Sequence, residues 1–199
     1  MLFRSTRSYV QARAAQQYRE VYDIIHPLQQ MENSRPLRIS PFYPRQKELG
    51  AFFFEGAGWE RPQWFAANEK LPADSQGAQR TGWTARYWSP TIAGEHLSTR
   101  GGVTLFDLTP FTKIQVTGRG ALAFLQSLTS NEMNQPPGKI TYTSMLDDNG
   151  GIQCDLTVTG LDEQEFLIVT GGPIGMHDLN WIRSHVPDEI GRASCRERV

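Results

Sequence analysis

The sequence has little cysteine: two residues in 199, Cys154 and Cys195. Cys195 falls in a closing run set aside below, so no internal disulfide is expected. A lone cysteine in a strand reads as a small buried hydrophobe rather than a reactive thiol. Positive charge is not in excess. Twenty Lys and Arg stand against 21 Asp and Glu, a formal net charge of −1. That argues against the strongly basic face that nucleic-acid binding needs. No apolar run approaches the roughly 18 residues of a membrane span, so neither nucleic acid nor membrane is an expected partner. The four histidines, His26, His96, His177 and His185, are far apart in sequence. No pair has a spacing such as H-x-x-x-H, so no metal ligands are expected. Phosphate-binding glycine loops are lacking too. "GRG" at 118–120 follows a strand and precedes a helix, but it has no third glycine and no downstream acid, and it reads as a strand–helix turn.

Both ends look foreign. "MLFRS" (1–5) and "EIGRASCRERV" (189–199) resemble translated sequencing-adapter DNA, and such runs are excluded from fold reasoning. Residues 6–188 are therefore read as the biological insert. Leaving out Arg4, Arg192, Arg196, Arg198, Glu189 and Glu197 makes its formal net charge −3.

What is present reads as two regions. "YVQARAAQQYREVYDII" is rich in helix formers, with Tyr18, Val21, Tyr22 and Ile25 on one face. The helix is expected to stop before Pro27. "NSRPLRISPFYPRQ" follows as an extended crossing. Next come a short helix at 46–49, a strand at 51–55 and a Gly-Pro loop. Residues 66–83 are small and polar, a linker by composition. The second region opens with a helix at 91–99. "LFDLT" and "FTKIQVTG" read as strands. "GRGALAFLQSLTSN" reads as a helix with Leu122, Leu125 and Leu128 inward. "PPGKITYTSML" and "GGIQCDLTVTGL" form a hairpin around Asn149-Gly150, a strong hairpin signal. "EFLIVT" is a further strand. "PIGMHDLNWIRSHVP" is a final helix carrying Met176, Leu179, Trp181 and Ile182. Antiparallel hairpins mixed with helices predict an α+β fold.

One residue breaks the pattern. Ile152, Cys154, Leu156 and Val158 alternate as a core face should, yet Asp155 sits among them, and Asp is depleted in strands. A two-residue loop at Asn149-Gly150 pairs Ser144 with Asp155 and Tyr142 with Thr157. Tyr142 and Asp155 then become diagonal neighbours on one face, with Cβ atoms roughly 7–8 Å apart. The plain reading is a solvated sheet face. The alternative is a polar pocket floor, its carboxylate aimed at a ligand's N–H or a developing cation.

A resemblance favours the alternative. "SPFYPRQKELGAFFFEGAGWERPQWF" (40–65) is similar to the segment that closes the flavin-containing half of the dimethylglycine and sarcosine dehydrogenase family. "LFDLTPFTKIQVTG", "GKITYTSMLDDNGGIQCDLTV" and "EFLIVTG" resemble the start of the domain that these enzymes share with the T-protein of the glycine cleavage system, an aminomethyltransferase. The resemblance implies the end of an FAD-dependent oxidoreductase central domain over 6–65. It implies the N-terminal part of a T-protein-like folate-binding domain over 84–188. By the same resemblance, Asp155 would hold tetrahydrofolate and take part in methylene transfer, and Tyr142 would line the same pocket. FAD would belong to a missing N-terminal half that oxidises a small N-methylated substrate, and the fragment alone would be inactive. Location would be cytoplasmic in a bacterium and the mitochondrial matrix in a eukaryote. T-proteins usually carry a second Asp where this chain has Cys154, and often an Asn where it has Gly171. Both departures resemble the dehydrogenase branch. Two other functions share the architecture: a non-catalytic regulatory subunit of the pyruvate dehydrogenase phosphatase type, and a folate-binding domain serving RNA modification.

Overall fold

The structure is a computed structural model that describes residues 7–72 and 80–187. The two adapter-like runs lie outside the described residues. The chain divides between Asp107 and Leu108 into two compact units.

In the first unit, α1 spans Arg7–Glu20. The predicted helix ends early, and Tyr18, Val21, Tyr22 and Ile25 are exposed rather than inward. The helix is tied down by a polar residue instead. Gln16, only 2 % exposed, accepts from the backbone N–H groups of Glu32 at 3.1 Å and Asn33 at 3.2 Å. An apolar stripe stabilises a helix only where another element covers it. The extended crossing is anchored by Arg35. Its guanidinium donates to both Glu60 carboxylate oxygens, at 2.9 and 2.5 Å, and to the carbonyls of Met31 and Phe53, each at 3.1 Å. The Glu60 bond leads the effects that push the Arg35 pKa further up.

Helix α2 covers Tyr43–Glu48. It starts earlier than the expected 46–49, because Pro44 is tolerated in a first turn that needs no N–H donor. Strand β1 is Ala51–Gly56 and β2 is Trp59–Phe65. The predicted Gly-Pro loop is thus a strand. Ala57 and Gly58 both take positive φ, 54° and 84°, which suits a tight hairpin turn. Pro62 lies beside the register irregularity opposite Phe52 and Phe53, where a missing N–H is tolerated. Phe52 stacks on Trp64 with ring centroids 4.0 Å apart. Helix α3, Thr91–Gly101, presents Glu95 to the Phe65 N–H and the Asn68 amide, both at 2.8 Å. The expected strand over "LFDLT" is not formed, and Leu105, Phe106 and Leu108 are exposed. Its β propensity has no neighbouring strand to satisfy the backbone.

The second unit contains β3 (Thr112–Thr117), α4 (Ala121–Leu128), β4 (Ile140–Leu146), β5 (Ile152–Gly160), β6 (Glu165–Thr170) and α5 (Gly175–Ser184). Its sheet is antiparallel throughout, in the order β3-β6-β5-β4. The core gathers Ile114, Leu125, Met145, Leu156, Ile168 and Ile182. In α4, Ala121, Phe124 and Leu125 are buried, while Leu122 and Leu128 pack partly buried against the core. In α5, Leu179 and Ile182 are buried, Trp181 is partly so, and Met176 is exposed. A side chain at Gly175 would overlap Thr112, so the start of α5 can lie against β3.

The β4–β5 hairpin differs from expectation in an instructive way. Asp147 pairs across the turn with Gly151, its N–H donating to the Gly151 carbonyl at 2.9 Å. The loop is therefore Asp148-Asn149-Gly150, one residue longer than expected. Such a loop alone would swap the two faces of β5. A bulge restores them. Met145 pairs with Cys154 but Leu146 with Ile152, leaving Gln153 as the extra residue. Beyond it Ser144 faces Asp155 and Tyr142 faces Thr157, as the sequence predicts. Ile152 is carried off the core face and is 69 % exposed. One carboxylate organises the loop: Asp147 accepts from the N–H of Asn149 at 2.9 Å, the N–H of Gly151 at 2.8 Å and the Gln153 side-chain amide at 2.9 Å. The segment 129–131 lies along the outer edge of β4. The Ser130 N–H donates to the Ser144 carbonyl at 2.9 Å, and the Asn131 amide to the Tyr142 carbonyl at 2.6 Å.

Two predictions follow from these anchors. Arg35→Met leaves the buried Glu60 carboxylate without its cation, and it should destabilise the first unit by about 3 kcal/mol; an unchanged urea midpoint would refute the anchoring role. The hydrogen bonds from Gly151 and Asn149, the former larger, hold the Asp147 pKa below the ordinary carboxylate range. A depressed folded-state pKa contributes stability that is present above the unfolded value and lost as pH falls through the folded value. The hydrogen-exchange protection of the Gly151 amide should therefore fall on acidification below about pH 4. Asp147→Ala should show reduced protection already at neutral pH. Equal protection in the two proteins would contradict the assignment.

Candidate functional site

The outer face of the second sheet is built by strand alternation. Cys154, Leu156 and Val158 of β5 point to the helices, so Asp155 and Thr157 point the other way. Asp155 is exposed and Tyr142 is 64 % exposed. The Asp155 carboxylate, through hydrogen-bonding influence first and its charge second, pushes the Tyr142 phenol pKa above its usual value. The structure thus brings together the two site residues singled out from the sequence. From Tyr142 a row runs across the sheet through Thr157, Val169 and Lys113. The Lys113 ammonium is held by the carbonyls of Leu108, Thr109 and Phe111 at 3.0, 3.0 and 2.8 Å.

Asp155 occupies a notch. Pairing between β5 and β6 begins at Leu156 and Thr170, so Asp155 has a paired neighbour on the β4 side only. The carboxylate can accept further hydrogen bonds from a ligand lying over this face. It can also stabilise positive charge that develops there.

A second polar cluster lies behind the sheet, and the sequence reading missed it. Asp178 is fully buried, at 0 % exposure. The Thr170 hydroxyl hydrogen-bonds to it, the His177 Nδ1 lies 3.0 Å from its Oδ1, and the Cys154 sulfur lies within 4.8 Å. Burial above all, and then the Asp178 charge, push the Cys154 thiol up to about 12. The signal was present in the sequence. Gly175, Asp178, Leu179 and Ile182 are the buried positions of α5, spaced i, i+3, i+4, i+7, and one of them is a carboxylate. The histidine was overlooked because its companions are its immediate neighbour and a cysteine on a distant strand.

Comparison with known proteins agrees with this architecture. The family described as the FAD dependent oxidoreductase central domain matches residues 2–40, and the GCVT N-terminal domain matches residues 42–198. The chain is 37 % identical over 83 % of its length to 4-methylaminobutanoate oxidase (formaldehyde-forming) of Paenarthrobacter nicotinovorans, covering 20 % of that protein. It is 29 % identical over 93 % of its length to the mouse mitochondrial pyruvate dehydrogenase phosphatase regulatory subunit, covering 21 % of it. It is 30 % identical over 89 % of its length to human mitochondrial dimethylglycine dehydrogenase, covering 20 % of it. The chain therefore spans about a fifth of the length of the curated relatives it matches. The crystal structure of glycine cleavage system aminomethyltransferase T from Bartonella henselae superposes with a TM-score of 0.58 at 25 % identity, over 75 % of this chain and 35 % of that one. Among the described residues no helix is long and apolar enough to cross a membrane. With an antiparallel sheet backed by helices and a family match over most of its length, the chain belongs to the GCVT N-terminal domain family, with a segment similar to the FAD dependent oxidoreductase central domain before it.

Proposed function

We propose that this chain is part of an FAD-dependent dehydrogenase of a small N-methylated glycine derivative, and that its second unit contributes to the tetrahydrofolate site that captures the one-carbon unit. The observation that carries the reading is the Tyr142–Asp155 pair, an acceptor carboxylate exposed at a notch in the sheet face of a GCVT-type domain. The donor set fits the ligand. A reduced pterin offers N–H groups, and an ionised carboxylate accepts them with charge-assisted strength. Tetrahydrofolate supplies the amine nitrogens that take up the one-carbon unit. Asp155 would accept from ligand N–H groups and stabilise positive charge during transfer. Tyr142 would orient that carboxylate through its phenol and offer its ring as a flat apolar wall. Flavin chemistry is assigned to the parent protein outside the second unit. The proposed compartment is the cytoplasm in a bacterium or the mitochondrial matrix in a eukaryote, the latter in line with the mitochondrial human and mouse relatives.

The test uses the full-length parent. Asp155→Asn preserves shape and removes charge. Loss of a charged hydrogen bond costs roughly 1.5–3 kcal/mol, so methylene-tetrahydrofolate formation should fall at least about tenfold. Dye reduction by the N-methylated amine should stay near the wild-type rate. If capture and folate affinity are both unchanged, Asp155 is a solvated strand residue. If the wild-type parent neither reduces dye nor forms methylene-tetrahydrofolate, the dehydrogenase reading fails and a regulatory role is favoured.

A further inference from the structure

The polar cluster behind the sheet takes no part in the proposed folate chemistry, yet its composition is unusual for a core. One sulfur, one imidazole nitrogen and one carboxylate oxygen, from Cys154, His177 and Asp178, all lie within 4.8 Å of one another. We propose that these three residues form a binding site for a divalent, zinc-like cation, with water completing the coordination.

The donor set fits such an ion. Zinc takes sulfur at about 2.3 Å and nitrogen or oxygen at about 2.0–2.2 Å in tetrahedral sites. Tetrahedral donors then lie roughly 3.3–3.6 Å apart, so the three atoms need shifts of no more than about an ångström. The His177 Nδ1 and the Asp178 Oδ1 are already 3.0 Å apart. Binding replaces the thiol proton and the His177–Asp178 contact with bonds to the metal. The thiol proton leaves to solvent, and the imidazole coordinates in its neutral form. The charge balance favours the exchange. A divalent ion would place positive charge between the buried Asp178 carboxylate and the buried Cys154 sulfur. Thr170, donating to the other oxygen of Asp178, would hold the carboxylate in place as supporting hydrogen bonds do around metal ligands.

Access and rigidity also suit the role. The Asp178 side chain is 0 % exposed, whereas that of His177 is 57 % exposed. An ion can enter from the histidine side, where the remaining position faces solvent. Three protein ligands with water in the fourth position is a coordination that zinc adopts in proteins. Cys154 is fixed in a central strand, and His177 and Asp178 are fixed in the first turn of α5. The site lies behind Asp155, on the neighbouring residue of the same strand.

The experiment is a cobalt titration of the full chain carrying Cys195→Ser, so that the thiol signal comes from Cys154 alone. One equivalent of Co²⁺ should bind and give a near-ultraviolet thiolate-to-cobalt charge-transfer band, which Zn²⁺ bleaches by displacement. His177→Gln, a change on a mostly exposed side chain, should weaken binding at least about tenfold, the scale seen when metal-site support is removed. Cys154→Ser should abolish the band. Absence of the band, or a band whose affinity is unchanged by His177→Gln, overturns the site. Should Cys154→Ser not fold, the His177→Gln comparison decides alone. Folate binding is not read in this titration, so its outcome is separate from that of the folate assay.

Discussion

The second unit depends on one constraint, the register between β4 and β5. Every residue of a strand changes face if pairing slips by one. Here a slip would turn Asp155 into the core and Leu156 out to water. Register is set by two deviations that cancel, a three-residue loop and a bulge at Gln153. Both are gathered on one side chain, since Asp147 accepts from the loop and from the bulged residue itself. Gly151 belongs to the same device, because a side chain there would press on the Asp147 carboxylate. An exposed turn thus decides which residues form the core and which face a ligand.

Most of the second unit was legible in the sequence because its signals are local and periodic. Alternation along 152–158 and the Asn149-Gly150 dipeptide were enough to pair Tyr142 with Thr157 and Ser144 with Asp155. They did not reveal the bulge, which compensates a loop length that neither strand encodes. Ile152 was misplaced for that reason alone. The Asp178 cluster escaped for a different reason. It is assembled from β5, β6 and the first turn of α5, and the contacts between those elements leave no spacing in the sequence.

The misreadings in the first unit share a cause. Tyr18, Val21, Tyr22 and Ile25 have helical spacing, and "LFDLT" has strand propensity, but propensity is realised only where another element covers it. Gln16 and Arg35 fix the chain instead, through hydrogen bonds to backbone groups, and such long-range polar contacts carry no periodic signature. Conversely, the hairpin of β1 and β2 forms despite Pro62, since the proline falls where the ladder is already irregular. Composition alone reads that segment as a loop.

The position of 129–131 along β4 has a further consequence. An edge strand normally offers a row of unpaired N–H and C=O groups on which another chain can grow as an added strand. Here Ser130 and Asn131 take the carbonyls of Ser144 and Tyr142. The template is interrupted in the middle of the strand, beside the residue proposed to face folate. A sheet that leaves one face open to a ligand is thereby hindered from recruiting a second sheet along its β4 edge.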